Sequence, residues 1–377
     1  MNSTDFFEHI EEHFESTLPF VVYRKPNEEK IHALLQDDET LHEVNDFSES
    51  GFVFAPFDAL TSETVLIPAE ESFAMELDSF ENEMLLEAET IVVKHTKDDR
   101  EAHIKLVNRG IEAIADTAMK KVVLSRKQNI PHNYESPVEI FKRLLWTYKT
   151  AFVYCWYHPN VGLWLGATPE TLLSINNRRL HTMSLAGTQK TSASSDVVWG
   201  EKEQEEQQFV TDSIVENLST LVNDLQVSDV ATQQAGTLLH LKTDISAIIN
   251  ENETSIAAVI NALHPTPAVC GLPKNEAKEF ILNHEGYARS YYTGFLGELN
   301  YKTEKKRAST RRNVENLAYS AIKKHTHLFV NLRCMEVDAS GAQLYVGGGV
   351  TASSDAVAEW EETVNKLQTV AKVLRTT

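Results

Sequence analysis

The spacing of apolar positions along the chain predicts helices separated by paired strands. Apolar residues recur at intervals of three or four, as in amphipathic helices, in several segments. The predicted helices are one that begins near Asn2 and others over 101–119, 136–148, 202–225 and 355–375. The third of these has a strong start signal, because Ser136 can cap the helix and Pro137 suits its first turn.

Apolar runs rich in β-branched and aromatic residues predict the strands. Such runs lie at 91–95, 120–130, 151–158, 161–168, 178–188, 293–300, 327–337 and 342–350. The pair at 151–158 and 161–168 flanks Pro159-Asn160 and predicts a hairpin. The last three runs predict an antiparallel meander, with Arg333 in the middle of a strand. Strand pairs interrupted by helices favour an α+β fold over an alternating parallel sheet.

Composition and charge narrow the function classes. The 377-residue chain is 42% hydrophobic, which is enough for a sizeable core, and its formal charge is −20. That charge disfavours nucleic acid and anionic membranes as partners. We expect a cytoplasmic protein, because the three cysteines form no CxxC motif and the acidic N-terminus lacks the features of a secretory signal. The basic segment 302–312 is interpreted as a solvated loop, with a polyanion contact as the alternative.

Two pairs of glutamates are candidates for a metal site. Glu203 and Glu206 lie three apart near the start of one predicted helix, and Glu359 and Glu362 lie three apart in the last helix. The first pair can instead stabilise the positive end of its helix. The second pair, with Lys366, can instead form a solvated face with one ion pair. If both pairs meet, their oxygen ligands suit Mg²⁺.

Other residues are candidates for catalysis or anion binding. Lys121 opens a strand, where lysine is usually exposed, but an enclosed lysine can act as a base. Glu170 follows Thr168-Pro169 and is either a helix-start carboxylate or an enclosed general acid. Glycine-rich strand ends, SLAGT at 184–188 and GGGV at 347–350, allow backbone N–H groups to approach an anion.

Ten segments in order resemble the chorismate-utilising enzymes, a family that includes isochorismate, salicylate, anthranilate and aminodeoxychorismate synthases. They are KVVLSR, LGATPETLL, SLAGT, KEQEEQ, LLHLKT, LHPTPAVCGLPK, YYTGFLGEL, LFVNLR, GGGV and EWEETVNK. The resemblance implies an α+β fold of two packed antiparallel sheets with helices outside, in α/β/β/α layers. It implies a weakly matched N-terminal part, 1–100, and a chorismate-binding catalytic region, 101–377, in one continuous domain.

Within the family, three positions point to isochorismate synthase, an isomerase. Lys121 matches the lysine that activates water, so the resemblance implies no ammonia chemistry and no glutamine amidotransferase subunit. Ala186 replaces the nucleophilic lysine of aminodeoxychorismate synthase, and Ala268 replaces a threonine typical of salicylate synthases. The alternatives are a salicylate synthase or a catalytically silent subunit that binds metal or chorismate. The product could serve menaquinone biosynthesis, which we favour, or siderophore biosynthesis.

The resemblance also implies a role for each matched residue. Lys121 is the base and Glu170 the acid. Glu206 and Glu362 bind Mg²⁺ directly, and Glu203 and Glu359 bind it through water. The implied substrate contacts are Arg333 and Tyr292 on one carboxylate, the backbone at Gly187, Thr188, Gly347 and Gly349, and His240, Ala268 and Lys366 around them. Gln207 stands where the family usually has histidine, which leaves the hydrogen bonding beside Glu206 open.

Overall fold

The computed structural model gives the chain two large β-sheets and helices that cover their outer faces. It describes residues 2–81, 91, 93–131, 136–190, 197–235, 238–250, 253–304 and 322–375. Most of the basic segment 302–312, beyond Glu304, lies outside these residues. Lys302 lies inside them and forms a surface ion pair with Glu70 at 3.0 Å.

The described residues form seven helices and nineteen strands. The helices are α1 (Ser3–Glu15), α2 (Lys97–Asp116), α3 (Pro137–Thr147), α4 (Glu201–Leu218), α5 (Ile256–Leu263), α6 (Lys274–His284) and α7 (Ala356–Ala371). The first strands are β1 (Phe20–Arg24), β2 (Ile31–Gln36), β3 (His42–Glu43), β4 (Gly51–Ala55), β5 (Val65–Pro68), β6 (Ser72–Leu77), β7 (Lys121–Ile130), β8 (Phe152–His158), β9 (Gly162–Thr168) and β10 (Thr171–Asn176). The remaining strands are β11 (Arg179–Lys190), β12 (Val222–Val227), β13 (Ala231–Ala235), β14 (Leu238–Ile249), β15 (Gly271–Leu272), β16 (Phe295–Glu304), β17 (Ile322–Val330), β18 (Cys334–Asp338) and β19 (Gly341–Val350). Among the helices described, none has the length and apolar character needed to cross a bilayer.

The strands pair into one nine-stranded and one ten-stranded sheet. The first has the order β15-β7-β19-β18-β9-β8-β1-β2-β6, and the second has the order β12-β14-β11-β10-β17-β16-β4-β5-β3 with β13 beside β14. The ladders between the described strands, for example β7 with β19 and β11 with β14, are antiparallel. The predicted α+β fold of two antiparallel sheets is confirmed.

The sheets pack face to face through an aromatic core, and β8 illustrates how. Phe152, Tyr154 and Trp156 belong to the core between the sheets, whereas Val153 and Cys155 belong to the cluster shared with helices α1, α3 and α7. Phe152 stacks on Phe329 of the other sheet, with ring centroids 4.1 Å apart. Because successive strand residues point to opposite faces, β8 contacts a sheet on one side and helices on the other. Helices α4 and α5 cover the outer face of the ten-stranded sheet.

One predicted helix is too long, and one predicted strand is absent from the described residues. The helix predicted over 202–225 ends at Leu218, and residues 222–227 form β12, which pairs with β14. Val222 and Leu225 still pack on the same core cluster, because an irregularity in the β12 ladder between Asn223 and Gln226 shifts the alternation. The strand predicted at 91–95 is absent from the described residues there, 91 and 93–95.

The predicted strand 327–337 is in fact two strands in different sheets. β17 ends at Val330 in the ten-stranded sheet, and β18 begins at Cys334 in the nine-stranded sheet. Arg333 therefore lies in the crossing between the sheets, not in the middle of a strand, and its φ is 49°. A left-handed backbone at arginine costs about 1 kcal/mol or more, and the crossing directs this residue to the site described next.

Candidate active site

Most of the predicted site residues meet around one cavity. Its volume is about 830 Å³ when the open solvent at its mouth is included. The predicted residues that line it are Glu170, Gly187, Glu206, His240, Ala268, Tyr292, Arg333, Gly347, Gly349, Glu362 and Lys366. Lys121, Glu203 and Glu359 are not among the residues that line it. The side chain of Thr188 lies outside the described residues.

Lys121 is the first residue of β7, and its side chain is fully buried. Its Nζ lies 2.9 Å from Glu206 Oε1, an ion pair without the angles of a hydrogen bond. Gly349 makes this contact possible, because a Cβ there would lie 3.0 Å from Lys121 Cε and 2.4 Å from Glu206 Oε1. The interpretation of Lys121 as an exposed lysine is therefore wrong, because its side chain is fully buried. Burial of an ammonium group is costly unless it is paired, and Glu206 is its partner.

Glu170 connects β9 to β10 and is also buried, with 3% of its surface exposed. Burial raises the pKa of Glu170 from 4.5 to about 7, although the charge of Lys121 and a hydrogen bond from Thr266 lower it. The Thr266 hydroxyl donates to Glu170 Oε1 at 3.4 Å. Thr266 was missed as a site residue, although it belongs to the HPTP segment that carries the resemblance. A carboxylic acid that titrates near neutral pH can donate a proton.

We expect Glu170→Gln to change the dependence of stability on pH. The folded-state pKa of about 7 lies above the ordinary 4.5, so the folded state holds this proton more tightly. The stability that the protonated Glu170 contributes to the wild type is therefore lost as pH rises from the ordinary pKa through the folded-state pKa. The neutral amide avoids this loss, and one pKa unit corresponds to about 1.4 kcal/mol.

Denaturant unfolding at pH 5 and pH 8 measures this effect. The stability gained by Glu170→Gln should be larger at pH 8 than at pH 5, by up to about 3 kcal/mol. Glu29→Gln provides a matched control, because Glu29 is exposed. Its effect on stability should be the same at the two pH values. An equal effect of Glu170→Gln at both pH values would contradict the raised pKa.

The second glutamate pair does not form a solvated face. Glu359 is buried, with 2% of its surface exposed, and accepts a hydrogen bond from Ser354 Oγ at 2.8 Å. Glu362 is half-buried, and its Oε1 lies 2.6 Å from Lys366 Nζ. Lys366 also donates to the carbonyl oxygen of Gly347 at 2.9 Å. These contacts turn this side of α7 toward β19 and the cavity.

The four predicted metal ligands surround the glycine-rich strand ends. A Cβ at Gly348 would lie 3.2 Å from Glu359 Oε2 and 3.7 Å from Glu362 Oε1. A Cβ at Gly187 would lie 3.1 Å from the Cβ of Glu203. Within the described part of the chain, however, no three of these carboxylates bring oxygens within 4.8 Å of one another. Ion pairs with Lys121 and Lys366 hold Glu206 and Glu362.

His240 and Arg333 form a hydrogen-bonded pair at the cavity wall. His240 Nδ1 lies 2.9 Å from the carbonyl oxygen of Gly187, and Arg333 Nη2 lies 3.0 Å from His240 Nε2. Both contacts are satisfied if Nδ1 carries the proton and Nε2 accepts from the guanidinium. Burial, Arg333 and Lys366 lower the pKa of His240 to about 3, so the ring is neutral near pH 7. The pair places the partly exposed Arg333 guanidinium, a positive charge, at the cavity wall.

Tyr292 lines the cavity, whereas Gln207 is bonded away from it. Tyr292 is buried at the cavity and stacks on Tyr345, with ring centroids 5.2 Å apart. Tyr345 also lines the cavity and was not predicted from the sequence. The amide nitrogen of Gln207 lies within 3.0 Å of the hydroxyls of Ser184, Thr211 and Thr243. Gln207 thus links α4 to β11 and β14, and its side-chain nitrogen bonds these hydroxyls rather than the site carboxylates.

Comparison with known proteins places the chain in a family. Two family models described as chorismate binding enzyme match residues 59–306 and 317–372. The chain belongs to the chorismate-binding enzyme family, and the predicted resemblance is confirmed.

Individual relatives are distant but similar in fold. Isochorismate synthase MenF of Escherichia coli K12 is 26% identical over 71% of this chain and 59% of its own length. Isochorismate synthase DhbC of Bacillus subtilis is 25% identical over 85% of this chain and 79% of its own length. A solved structure of DhbC from Bacillus anthracis superposes with a TM-score of 0.76 at 22% identity, covering 98% of this chain and 99% of that one. The match therefore spans less than two thirds of the E. coli relative.

Proposed function

We propose that this protein is an isochorismate synthase, which converts chorismate to isochorismate. Water adds at C2 of the ring, the double bonds shift, and the C4 hydroxyl leaves as water, so the atoms balance. The observation that carries the proposal is a buried carboxylic acid, Glu170, that lines the cavity, together with a buried lysine, Lys121, that is ion-paired with the lining residue Glu206. The names of the relatives from E. coli and B. subtilis support it.

In this proposal, Lys121 takes the proton from the attacking water. The amine must be neutral at that moment, and Glu206, 2.9 Å from Nζ, fixes its position. Glu170 gives its proton to the departing C4 hydroxyl. Its pKa of about 7 keeps a substantial fraction protonated at neutral pH. The two groups therefore divide base and acid work between them.

The charges of the substrate have matching groups in the cavity. Chorismate carries two carboxylates. We assign the enolpyruvyl carboxylate to the Arg333 guanidinium and the Tyr292 hydroxyl, because both line the cavity and a guanidinium is a strong carboxylate partner. The backbone at Gly187, Gly347 and Gly349 and the side chain of Lys366 complete the anion site, with His240 and Ala268 on its walls.

We propose that Mg²⁺ binds beside this site. Glu206 and Glu362 would hold it directly, and Glu203 and Glu359 through water. This set of oxygen ligands fits Mg²⁺, and the glycines at 348 and 349 leave room that a Cβ would fill. The ion supplies the positive charge that the ring carboxylate needs beside these glutamates, since like charges 4 Å apart repel by about 4 kcal/mol at an effective dielectric of 20.

Glu362→Gln tests the metal assignment. We expect it to weaken binding of the Mn²⁺ that excess Mg²⁺ displaces, used as a paramagnetic probe for the Mg²⁺ site, by tenfold or more, and to raise the Mg²⁺ concentration for half-maximal activity similarly. Glu361→Gln, the exposed neighbour on the same helix, is the matched control and should change neither value. Unchanged Mn²⁺ binding in Glu362→Gln would remove this residue from the ligand set.

Product identification tests the reaction itself. Chorismate is incubated with the protein, with and without Mg²⁺ and ammonium, and the products are separated by chromatography. Isochorismate that forms with Mg²⁺ and needs no ammonium supports the proposal. Salicylate and pyruvate would instead identify a salicylate synthase, and anthranilate an ammonia-using enzyme. Chorismate binding without turnover would identify a silent subunit.

We further propose that the product enters menaquinone biosynthesis. Siderophore biosynthesis is the alternative, since both pathways begin from isochorismate. Expression of the chain in a bacterium that lacks its menaquinone-specific isochorismate synthase tests this assignment. Restored menaquinone supports it, and restoration only of a siderophore in a strain that lacks that pathway's synthase contradicts it.

A further inference from the structure

Three potential metal ligands meet on the ten-stranded sheet, at residues that do not line the proposed active site. His325 and His327 lie two residues apart on β17 and therefore on one face of the sheet. Glu298 lies opposite His327 on the paired strand β16. Its Oε2 is 2.9 Å from His325 Nε2 and 3.4 Å from His327 Nδ1. One ligand atom from each residue lies within 4.8 Å of the other two.

These separations suit coordination of one ion. A metal ion bound at about 2.1 Å holds neighbouring ligand atoms roughly 3.0 to 3.4 Å apart, in octahedral or tetrahedral geometry. The distances to Glu298 Oε2, 2.9 Å from His325 Nε2 and 3.4 Å from His327 Nδ1, lie close to the two ends of that range. Two imidazoles and one carboxylate form a ligand set for Zn²⁺ and similar transition metals, whereas Mg²⁺ prefers oxygen ligands alone.

The carboxylate of Glu298 is oriented by a second contact. The Tyr23 hydroxyl donates to Glu298 Oε1 at 2.6 Å, so Oε2 is directed toward the imidazoles. Tyr23 is almost fully buried, with 1% of its surface exposed, and cannot move away easily. Hydrogen bonds of this kind orient the ligands in metal sites. The two histidines remain partly accessible, with 13% and 22% of their side chains exposed, so an ion can enter from solvent.

Lys25 competes for the same oxygen. Its Nζ lies 3.0 Å from Glu298 Oε2 and neutralises the carboxylate in the metal-free protein. A divalent ion on that oxygen would repel the ammonium group. Lys25 follows the end of β1, and 16% of its side chain is exposed, so it can turn outward to solvent.

We propose that Glu298, His325 and His327 form a second metal site, which takes a divalent transition metal of the Zn²⁺ type. Ion binding there displaces Lys25 from Glu298. This site is independent of the proposed reaction and of the proposed Mg²⁺ ligands, because its ligands lie on different elements and have a different donor chemistry.

Titration of the untagged, chelator-treated full chain with Co²⁺ and Zn²⁺ tests this proposal. Co²⁺ should give visible absorption bands from nitrogen and oxygen coordination, and Zn²⁺ should abolish them by competition. Excess Mg²⁺ should not. His327→Ala and His325→Ala should each weaken Co²⁺ binding by tenfold or more, while His284→Ala, an exposed histidine on α6, should leave it unchanged.

Lys25→Gln is the most specific test of the metal site, because it removes the competing positive charge and keeps all three ligands. It should strengthen Co²⁺ binding by tenfold or more, whereas loss of a merely structural ion pair would leave binding unchanged. The same variant keeps the proposal testable if a histidine variant fails to fold. Absent Co²⁺ bands in both the wild type and Lys25→Gln, or bands that survive in His325→Ala and His327→Ala, would overturn the proposal.

Discussion

Lys121→Ala should lower kcat for isochorismate formation by about 10²–10⁴-fold, the usual contribution of a general base. The methyl group cannot take a proton from water, and no exposed lysine can replace the fully buried one at the start of β7. The change also removes the ion pair to Glu206, which could affect substrate binding. Chorismate binding is therefore measured separately, by calorimetry. The loss should fall mainly on kcat.

Lys120→Ala is the matched control, because Lys120 is the adjacent residue and is exposed. It should retain wild-type kcat and KM. Wild-type kcat in Lys121→Ala would remove the base from the mechanism. A parallel loss of chorismate binding and of thermal stability would instead assign Lys121 a structural role.

Glu170→Gln should lower kcat by about 10²–10⁴-fold as well, because the amide cannot protonate the leaving hydroxyl. In the wild type, kcat/KM should fall as pH rises through about 7, where the buried acid loses its proton. This alkaline limb should be missing from the residual activity of Glu170→Gln.

Thr266→Val should move that limb in a defined direction. The Thr266 hydroxyl donates to Glu170 and lowers its pKa, so its loss should raise the pKa and shift the alkaline limb of kcat/KM to higher pH. Most of the activity at pH 6 should remain.

For Glu170→Gln, a pH profile with the same alkaline limb as the wild type would contradict the role of Glu170 as the acid.

The local pattern of the chain predicted much of the fold. The apolar run at 151–158 predicted β8, whose residues 152–156 are buried on both faces, and Ser136-Pro137 predicted the start of α3, where the Ser136 hydroxyl accepts from the Val138 amide at 3.2 Å. The helix predicted over 202–225 is too long because a strand with an irregular ladder, here residues 222–227, can repeat apolar residues at helical spacing. The crossing at Arg333 was not predicted, because the apolar run continues through it from one sheet to the other.

The candidate site was predicted in composition but not in its contacts. The ordered motifs selected the residues, yet spacing along the chain could not reveal that Lys121 pairs with Glu206, or that His240 bonds to Arg333. These contacts join elements of different layers. The boundary at residue 100 stays a prediction, although strands from 20–77 pair within both sheets.

Turnover of chorismate in water enriched in ¹⁸O tests the account most directly, with isochorismate analysed by mass spectrometry. If Lys121 activates water at C2 while Glu170 releases the C4 hydroxyl, each isochorismate molecule formed in a single turnover carries one ¹⁸O, located at C2. Unlabelled isochorismate would mean that the substrate's own hydroxyl migrates, and would contradict the division of base and acid between these residues.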